Sequence, residues 1–340
     1  MTLTDRLSVY LLSRYPDAVV SEVKFLVSGF ESEIYTFFLQ RANASRKQYI
    51  LRLFTGIGAA EKLSREASAL SLLQSVGYPI PGLLLQETNL EILGKPFEII
   101  EKLEGQALWP ILAAAEPREQ SELLSRFASL LAGLHQLDWR LFTKNRERYE
   151  SNPRRLLDEV ILHYRSLFIK YNLHGFLQVV DWLDAHKREI SIQPAIVHQD
   201  FHANNVFLSL DGRLFVIDWT QFDVSDYRID LCWSLLIMGD FGNMDWGKQI
   251  WDGYLSHAGH SVDHMDYFHV IVDMKLLAST VISLKFSPEE LGLRPETAQI
   301  SREQVPIYQQ LSLRLQTITG VSIPELEEIF GEISGGTHQS

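Results

Sequence analysis

The 340-residue sequence predicts an α+β protein of two lobes, a small antiparallel sheet followed by a mainly helical part. Three observations predict it. Short runs of strand type fill the first hundred residues, at 23–27, 34–40, 49–54, 83–86 and 97–100. Past Gly105 the apolar residues recur at helical spacing instead, and do so almost to the C-terminus. The exception is one β-ribbon, 206–210 and 213–218, joined by Asp211-Gly212. With 46% hydrophobic residues a chain of this length can bury a large core, and its size suits two compact parts.

Taken in order, residues 3–15 read as an amphipathic helix with Leu3, Leu7, Tyr10 and Leu11 on one side, ended by Pro16. Strands 23–27 and 34–40 flank a turn, Ser28-Gly-Phe-Glu-Ser-Glu33, that has one glycine and two acidic residues. The next strand, 49–54, carries Arg52, and a helix over 61–75 follows with Leu63, Ala67, Leu70 and Leu73 in register. A rigid Gly77-to-Pro81 turn leads to the strands at 83–86 and 97–100, and Gly105 marks the lobe boundary. Pro117 opens a helix striped by Leu123, Leu124, Phe127, Leu130, Leu131 and Leu134. Two more helices occupy 153–189 with a break at 172–175, and Pro194 leads into the β-ribbon. Helices continue to Phe330. The expected organisation is a first lobe over 1–104 with a helical extension at 1–20, a second over 105–330, and a mobile tail at 331–340.

The ribbon holds the chemistry. A two-residue turn centred on Asp211-Gly212 makes opposite residues sum to 423, so Asn205 is expected across from Asp218. Directly opposed side chains lie roughly 5 Å apart at Cβ, and an amide oxygen with a carboxylate at that spacing suits a hard cation. Asp200, five residues before Asn205, sets a further carboxylate on the loop feeding the first strand. The residues alone go no further than paired oxygen ligands, with an ordinary hairpin carrying turn and capping residues as the competing reading.

His198-x-Asp200-x4-Asn205, with Ile217-Asp218-Trp219 thirteen residues on, resembles the catalytic and metal-binding loops of the aminoglycoside phosphotransferase family, which has a protein-kinase-like fold and is similar to choline kinases. The resemblance implies ATP- and Mg²⁺-dependent phosphoryl transfer to a hydroxyl of a small molecule such as an aminoglycoside, amino-alcohol or related metabolite. It gives Asp200 the acceptor's proton, Asn205 and Asp218 the magnesium, and His198 a bracing role. It sets Arg52 where the family commonly has a lysine for the nucleotide phosphates, with Glu66 as its ion-pair partner on the following helix. Ile100 would line the adenine pocket, and Glu101 and Leu103 would supply a backbone acceptor and donor. The family's phosphate-covering turn corresponds to 28–33, which lacks GxGxxG. Asp230 would anchor structure beneath the site, and the acceptor pocket would lie among the second-lobe helices.

Composition excludes several classes. A net charge of −12 argues against non-specific binding to nucleic acid or an anionic membrane. A single cysteine, Cys232, excludes a disulfide framework within the chain, and the eleven histidines show no HExxH spacing. Met1 to Leu12 has no basic segment before an apolar run, and Asp273 and Lys275 interrupt the apolar stretch 270–284, so a cytoplasmic protein is expected. Absence of HRD, DFG and APE segments disfavours a protein Ser/Thr kinase. A catalytically silent ligand-binding or scaffold member is the remaining alternative. Asp240, Asp245, Trp246, Trp251 and Tyr254 cluster in sequence and could hold an ammonium group, although tryptophans at helical spacing are more often core. No sequence feature favours ATP over GTP, one acceptor over another, or any oligomeric state.

Overall fold

The computed structural model describes residues 1–28, 32–42, 45–259, 261–291 and 304–335. They fall into two compact units, the first built from Met1–Leu108 with Asn204–Phe222 and the second from Trp109–Ala203, Asp223–Leu291 and the residues from 304 onward.

In the first unit, β1 (Val19–Ser28), β2 (Ser32–Gln40), β3 (Lys47–Phe54), β4 (Leu83–Glu87) and β5 (Phe97–Glu101) form an antiparallel sheet in the order β1-β2-β3-β5-β4. Side chains alternate between faces along a strand, and that period sorts this sheet cleanly. Phe37, Leu39, Leu51, Leu53, Phe97 and Ile99 pack with Leu7, Tyr10 and Leu11 of the helix Leu3–Arg14 into one core. Their even-numbered neighbours Ile34, Ile50, Arg52 and Ile100 line a cavity on the other face. Half of the expected phosphate-covering turn, residues 29–31, lies outside the described residues.

Five further strands are β6 (Gly105–Ala107), β7 (Pro194–Val197), β8 (Val206–Ser209), β9 (Leu214–Val216) and β10 (Asp223–Asp226). The first unit contains the sheet β6-β8-β9, and the second contains the pair β10-β7. Gly105, at φ +147°, is the residue that lets β6 approach β8, because a Cβ there would come within 2.1 Å of the Leu208 carbonyl oxygen.

The ribbon β8–β9 corrects the expected register. Val206 pairs with Val216 and Leu208 with Leu214, so opposite residues sum to 422 rather than 423. The loop has three residues, not two: the Ser209 N–H donates to the Arg213 carbonyl and the Gly212 N–H to the Ser209 carbonyl, both at 2.9 Å, with Gly212 at φ +82°. A turn followed by a left-handed glycine is the common three-residue solution. Asn205 therefore opposes Ile217, whose N–H donates to the Asn205 carbonyl at 2.9 Å.

The second unit is helical. Its core joins Phe168, Phe176 and Val180 of Arg155–Lys170 and His174–His186 to Phe268, Val272 and Leu277 of Met265–Lys285 and to Leu311 and Leu315 of Val305–Thr319. By length and composition Met265–Lys285 could cross a membrane, but its apolar residues pack in this core and its Asp273 pairs with Arg314 at 2.6 Å. The expected tail from 331 is also corrected, since the helix Pro324–Gly335 continues to Gly335 on the strength of buried Leu326, Ile329 and Phe330. Residues 336–340 lie outside the described set.

Candidate active site

In the first unit, a cavity of about 290 Å³ gathers most of the residues singled out in the sequence. Ile34, Ile50, Ile100 and Leu103 give it apolar walls, and Arg52, Glu66, Glu101, Asn205 and Asp218 line it as well. The Glu101 N–H is committed to the Gly82 carbonyl at 2.8 Å. Its size and its mix of apolar wall with a few polar groups fit a small-molecule or cofactor pocket.

Arg52 is the hub of the polar end. Its Nη1 lies 2.6 Å from Glu66 Oε1 and 3.3 Å from Glu98 Oε1, and its Nη2 lies 3.5 Å from Asp218 Oδ1. Arg52, Glu66 and Glu98 are 8%, 1% and 0% exposed. Glu66 also accepts the Trp219 N–H at 3.2 Å, which ties its helix, Ala59–Ser75, to the end of the ribbon. Burial works against the Arg52 charge, but Glu66, Asp218 and Glu98 outweigh it and hold the guanidinium charged above its ordinary range. Two buried glutamates share one cation, so the second negative charge goes uncompensated. Burial pushes Glu66 up to about 7, with Arg52 opposing, and burial together with Glu66 pushes Glu98 well above its usual range. Glu66 is the nearer of the two to Arg52, at 2.6 Å against 3.3 Å.

Glu98 was not singled out in the sequence, yet it faces Arg52 directly across β3 and β5. The signal was a lone acid in the apolar run Phe97-Glu-Ile-Ile, which the strand buries from end to end.

Asp218 leaves the ribbon ladder with φ +65°, a conformation rare outside glycine and better tolerated by Asp and Asn than by most residues. The register would send residues 217 and 218 to opposite faces, but the left-handed turn breaks that alternation, and Asp218 and Asn205 line the same cavity. Thr220 Oγ1 donates to Asp218 Oδ1 at 3.1 Å. Among the described residues no group of three His, Cys, Asp or Glu side chains could cage a metal. An amide and a carboxylate oxygen beside a pocket nonetheless fit magnesium, which takes one or two protein ligands and completes its shell with phosphate and water.

Asp200 belongs to the second unit. Its Oδ1 accepts the Trp233 indole N–H at 2.9 Å and lies 3.3 Å from His202 Nε2. Its own N–H donates to Nδ1 of the buried His198 at 3.2 Å. Burial disfavours the Asp200 carboxylate, but His202, His198 and Lys275 prevail, and the carboxyl sits below its ordinary value. Asp230, fully buried, accepts the N–H groups of His198 at 2.6 Å and Gln199 at 2.5 Å, and so pins the loop from below. His135 is packed, its Nδ1 2.8 Å from the Tyr254 hydroxyl. Cys232 is a buried free thiol.

The aromatic–acid cluster does not form an ammonium site. Trp246 and Tyr254 are core residues, and Asp240 is paired to Arg314 at 2.9 Å.

The model of the phosphotransferase enzyme family, APH, matches residues 22–264. The chain belongs to that family. Among solved structures, this APH chain is similar to a candidate aminoglycoside phosphotransferase of Ralstonia eutropha JMP134, with 14% identity, a TM-score of 0.66 and coverage of 96% of this chain and 98% of that one. It is also similar to ADP-bound aminoglycoside phosphotransferase APH(2'')-Ib, with 19% identity, a TM-score of 0.56 and coverage of 92% and 97%. LicA in complex with AMP matches at 18% identity, a TM-score of 0.56 and coverage of 94% and 99%. Likeness at these identities carries the fold, which is protein-kinase-like. Among curated proteins, acyl-CoA dehydrogenase family member 11 of Rattus norvegicus is 27% identical over 193 residues, covering 54% of this chain. The APH chain spans about a quarter, 24%, of the length of that relative.

Proposed function

We propose that the chain transfers the γ-phosphoryl group of ATP or GTP, bound with Mg²⁺, to a hydroxyl of a small molecule. The observation that carries this is the first-unit cavity, where a fixed cation at Arg52 and two oxygen ligands at Asn205 and Asp218 meet an apolar wall. That wall suits a base, with Ile100 against its face and the backbone of Glu101 and Leu103 at its edge. Arg52, steadied by Glu66, contacts the phosphates, and Asn205 and Asp218 hold the metal. When bound there, magnesium would supply neutralisation of the phosphate charge. Asp200 orients the acceptor hydroxyl and receives its proton while the acceptor oxygen bonds to phosphorus and the bond to the β,γ-bridging oxygen breaks. An ionised carboxylate serves that role at neutral pH, and its histidine neighbours support it.

Membership in the APH family supports a small-molecule acceptor over a protein. Aminoglycosides and amino-alcohols are one acceptor class. The curated relatives favour a second reading: the segment shared with a much longer acyl-CoA dehydrogenase family protein makes a hydroxyl on an acyl thioester the other class to test.

The test is ADP release from MgATP against aminoglycosides, choline, homoserine, sugars and hydroxyacyl thioesters, repeated with Asp200→Ala. One class should turn over, and the variant should lose turnover while keeping nucleotide affinity. Full turnover in Asp200→Ala would remove the residue from its role. Silence across the panel, with nucleotide binding also absent, would favour a catalytically inert binding protein.

A further inference from the structure

We propose that Lys275 and Trp233 form a positioning pair for Asp200, an inference that rests on the proton-accepting role assigned to Asp200 above. Neither residue belongs to the loop that carries Asp200. Trp233 lies on the helix Arg228–Leu235 and Lys275 on Met265–Lys285.

Lys275 places a half-buried ammonium within the second unit, on a helix whose buried residues are nearly all apolar. Burying a charge costs stability unless it is specifically paired, and an apolar side chain could fill this place without that cost. What repays the cost is aimed at Asp200. Lys275 Nζ donates to the Gln199 carbonyl at 3.0 Å and sits 4.5 Å from the centre of the Trp233 ring. A cation over an indole face is a favourable arrangement. The same indole donates its N–H to Asp200 Oδ1 at 2.9 Å. One ammonium thus fixes the peptide before Asp200 and the group that holds its carboxylate.

Gln199 shows why the peptide needs holding. It has φ +64° without being glycine, a conformation that persists only where the surroundings over-determine it. Charged groups secure both of its backbone polar groups, Asp230 accepting the N–H and Lys275 donating to the carbonyl. A relaxed Gln199 would turn Asp200 away from its present direction. Burial lowers the Lys275 ammonium from its ordinary value while Asp200 and Asp230 work against that, so the lysine feels the charge it helps to place. The other titratable groups facing this pair are His198 and His202 beside Asp200 and His163 near Lys275.

The experiment uses the full chain labelled with ¹⁵N at the tryptophan indoles, with the Trp233 signal assigned from Trp233→Phe. That signal is followed from pH 8 to pH 2, with circular dichroism confirming at each pH that the fold persists, in the wild type, Lys275→Met, Lys275→Gln and Lys275→Arg. Asp200→Asn identifies which transition belongs to Asp200, because it removes that one and leaves the histidine transitions. The pair predicts that the Asp200 transition moves to higher pH in Lys275→Met and Lys275→Gln and stays near the wild type in Lys275→Arg. It also predicts a kcat for ADP release lower by roughly ten- to a hundredfold in the Met and Gln variants, with the nucleotide KM unchanged. An Asp200 transition that stays put in a folded Met or Gln variant overturns the pair. Two variants guard against one failing to fold. Failure of the proposed function shows separately, as undiminished turnover in Asp200→Ala, and leaves the indole result to be judged alone.

Discussion

Replacing Arg52 by Met tests the polar end of the cavity most severely. The change keeps an unbranched apolar stem and deletes a cation that lies within 3.3 Å of both Glu66 and Glu98. Removing one partner of a buried ion pair costs about 3–5 kcal/mol, and here it strands carboxylates that are 1% and 0% exposed. The loss depends on pH, with a definite sign. A carboxyl whose folded pKa lies above its unfolded value contributes stability that is fully present below the unfolded value and is lost as pH rises through the folded one. Glu66 already moves from 4.5 to about 7 in the intact protein, which amounts to about 3 kcal/mol across that window. Glu98 moves in the same direction. Without Arg52 both must rise further, so the deficit of the variant should be larger at pH 8 than at pH 5, by about 1.4 kcal/mol for the one pH unit by which pH 8 exceeds the Glu66 value. Trp219, the only tryptophan in the first unit, is buried and donates its N–H to Glu66, so it can report on this region. Urea unfolding read from the Trp219 signal of 5-fluorotryptophan-labelled protein, at both pH values, gives the difference directly. A deficit below about 1 kcal/mol and equal at the two pH values would refute the argument that Arg52 compensates buried charge. The expected deficit with unchanged nucleotide affinity would leave Arg52 a structural ion pair and take the phosphates from it.

Other outcomes follow from the same geometry. Asp218→Asn keeps a residue that tolerates left-handed φ while removing the charge, so MgATP affinity should fall by tenfold or more, about 1.4 kcal/mol, with metal-free nucleotide binding little changed; equal affinity in a calorimetric titration would contradict the metal assignment. Asp230→Asn places an amide against two N–H groups now held at 2.6 and 2.5 Å, and should cost about 2–3 kcal/mol with a fall in kcat. Because Asp230 lies in the second unit, nucleotide affinity in the first should hold, and a variant as stable and active as the wild type would show that the loop does not depend on it.

Much of the fold was legible because it follows from local pattern. Period-two alternation in β2, β3 and β5 sorts core from cavity, and the stripe from Leu123 to Leu134 describes Pro117–His135. The ribbon was legible as a ribbon and misjudged by one residue. Asp-Gly fits a two-residue turn as well as a three-residue loop, and only the hydrogen bond from Ser209 to Arg213 decides between them. A shift of one residue should have sent Asp218 away from Asn205. It did not, because Asp218 takes a left-handed conformation that no apolar pattern encodes.

The residues that sequence reasoning passed over share a physical character. Glu98, Trp233 and Lys275 act through partners between 33 and 76 positions away, namely Arg52, Asp200 and Gln199. Each is a polar or amphipathic group set in an apolar run, and read alone such a group looks like an interruption. Lys275 illustrates the error: its charge counted only against a membrane span, whereas in the folded chain it lies beside the loop carrying Asp200. The cost of burying a charge supplies the rule that would have found it. A charge retained on a core-facing helix needs a specific compensating partner, and that partner is best sought where nearby backbone is strained. Gln199, at φ +64° and adjacent to Asp200, is where that search ends.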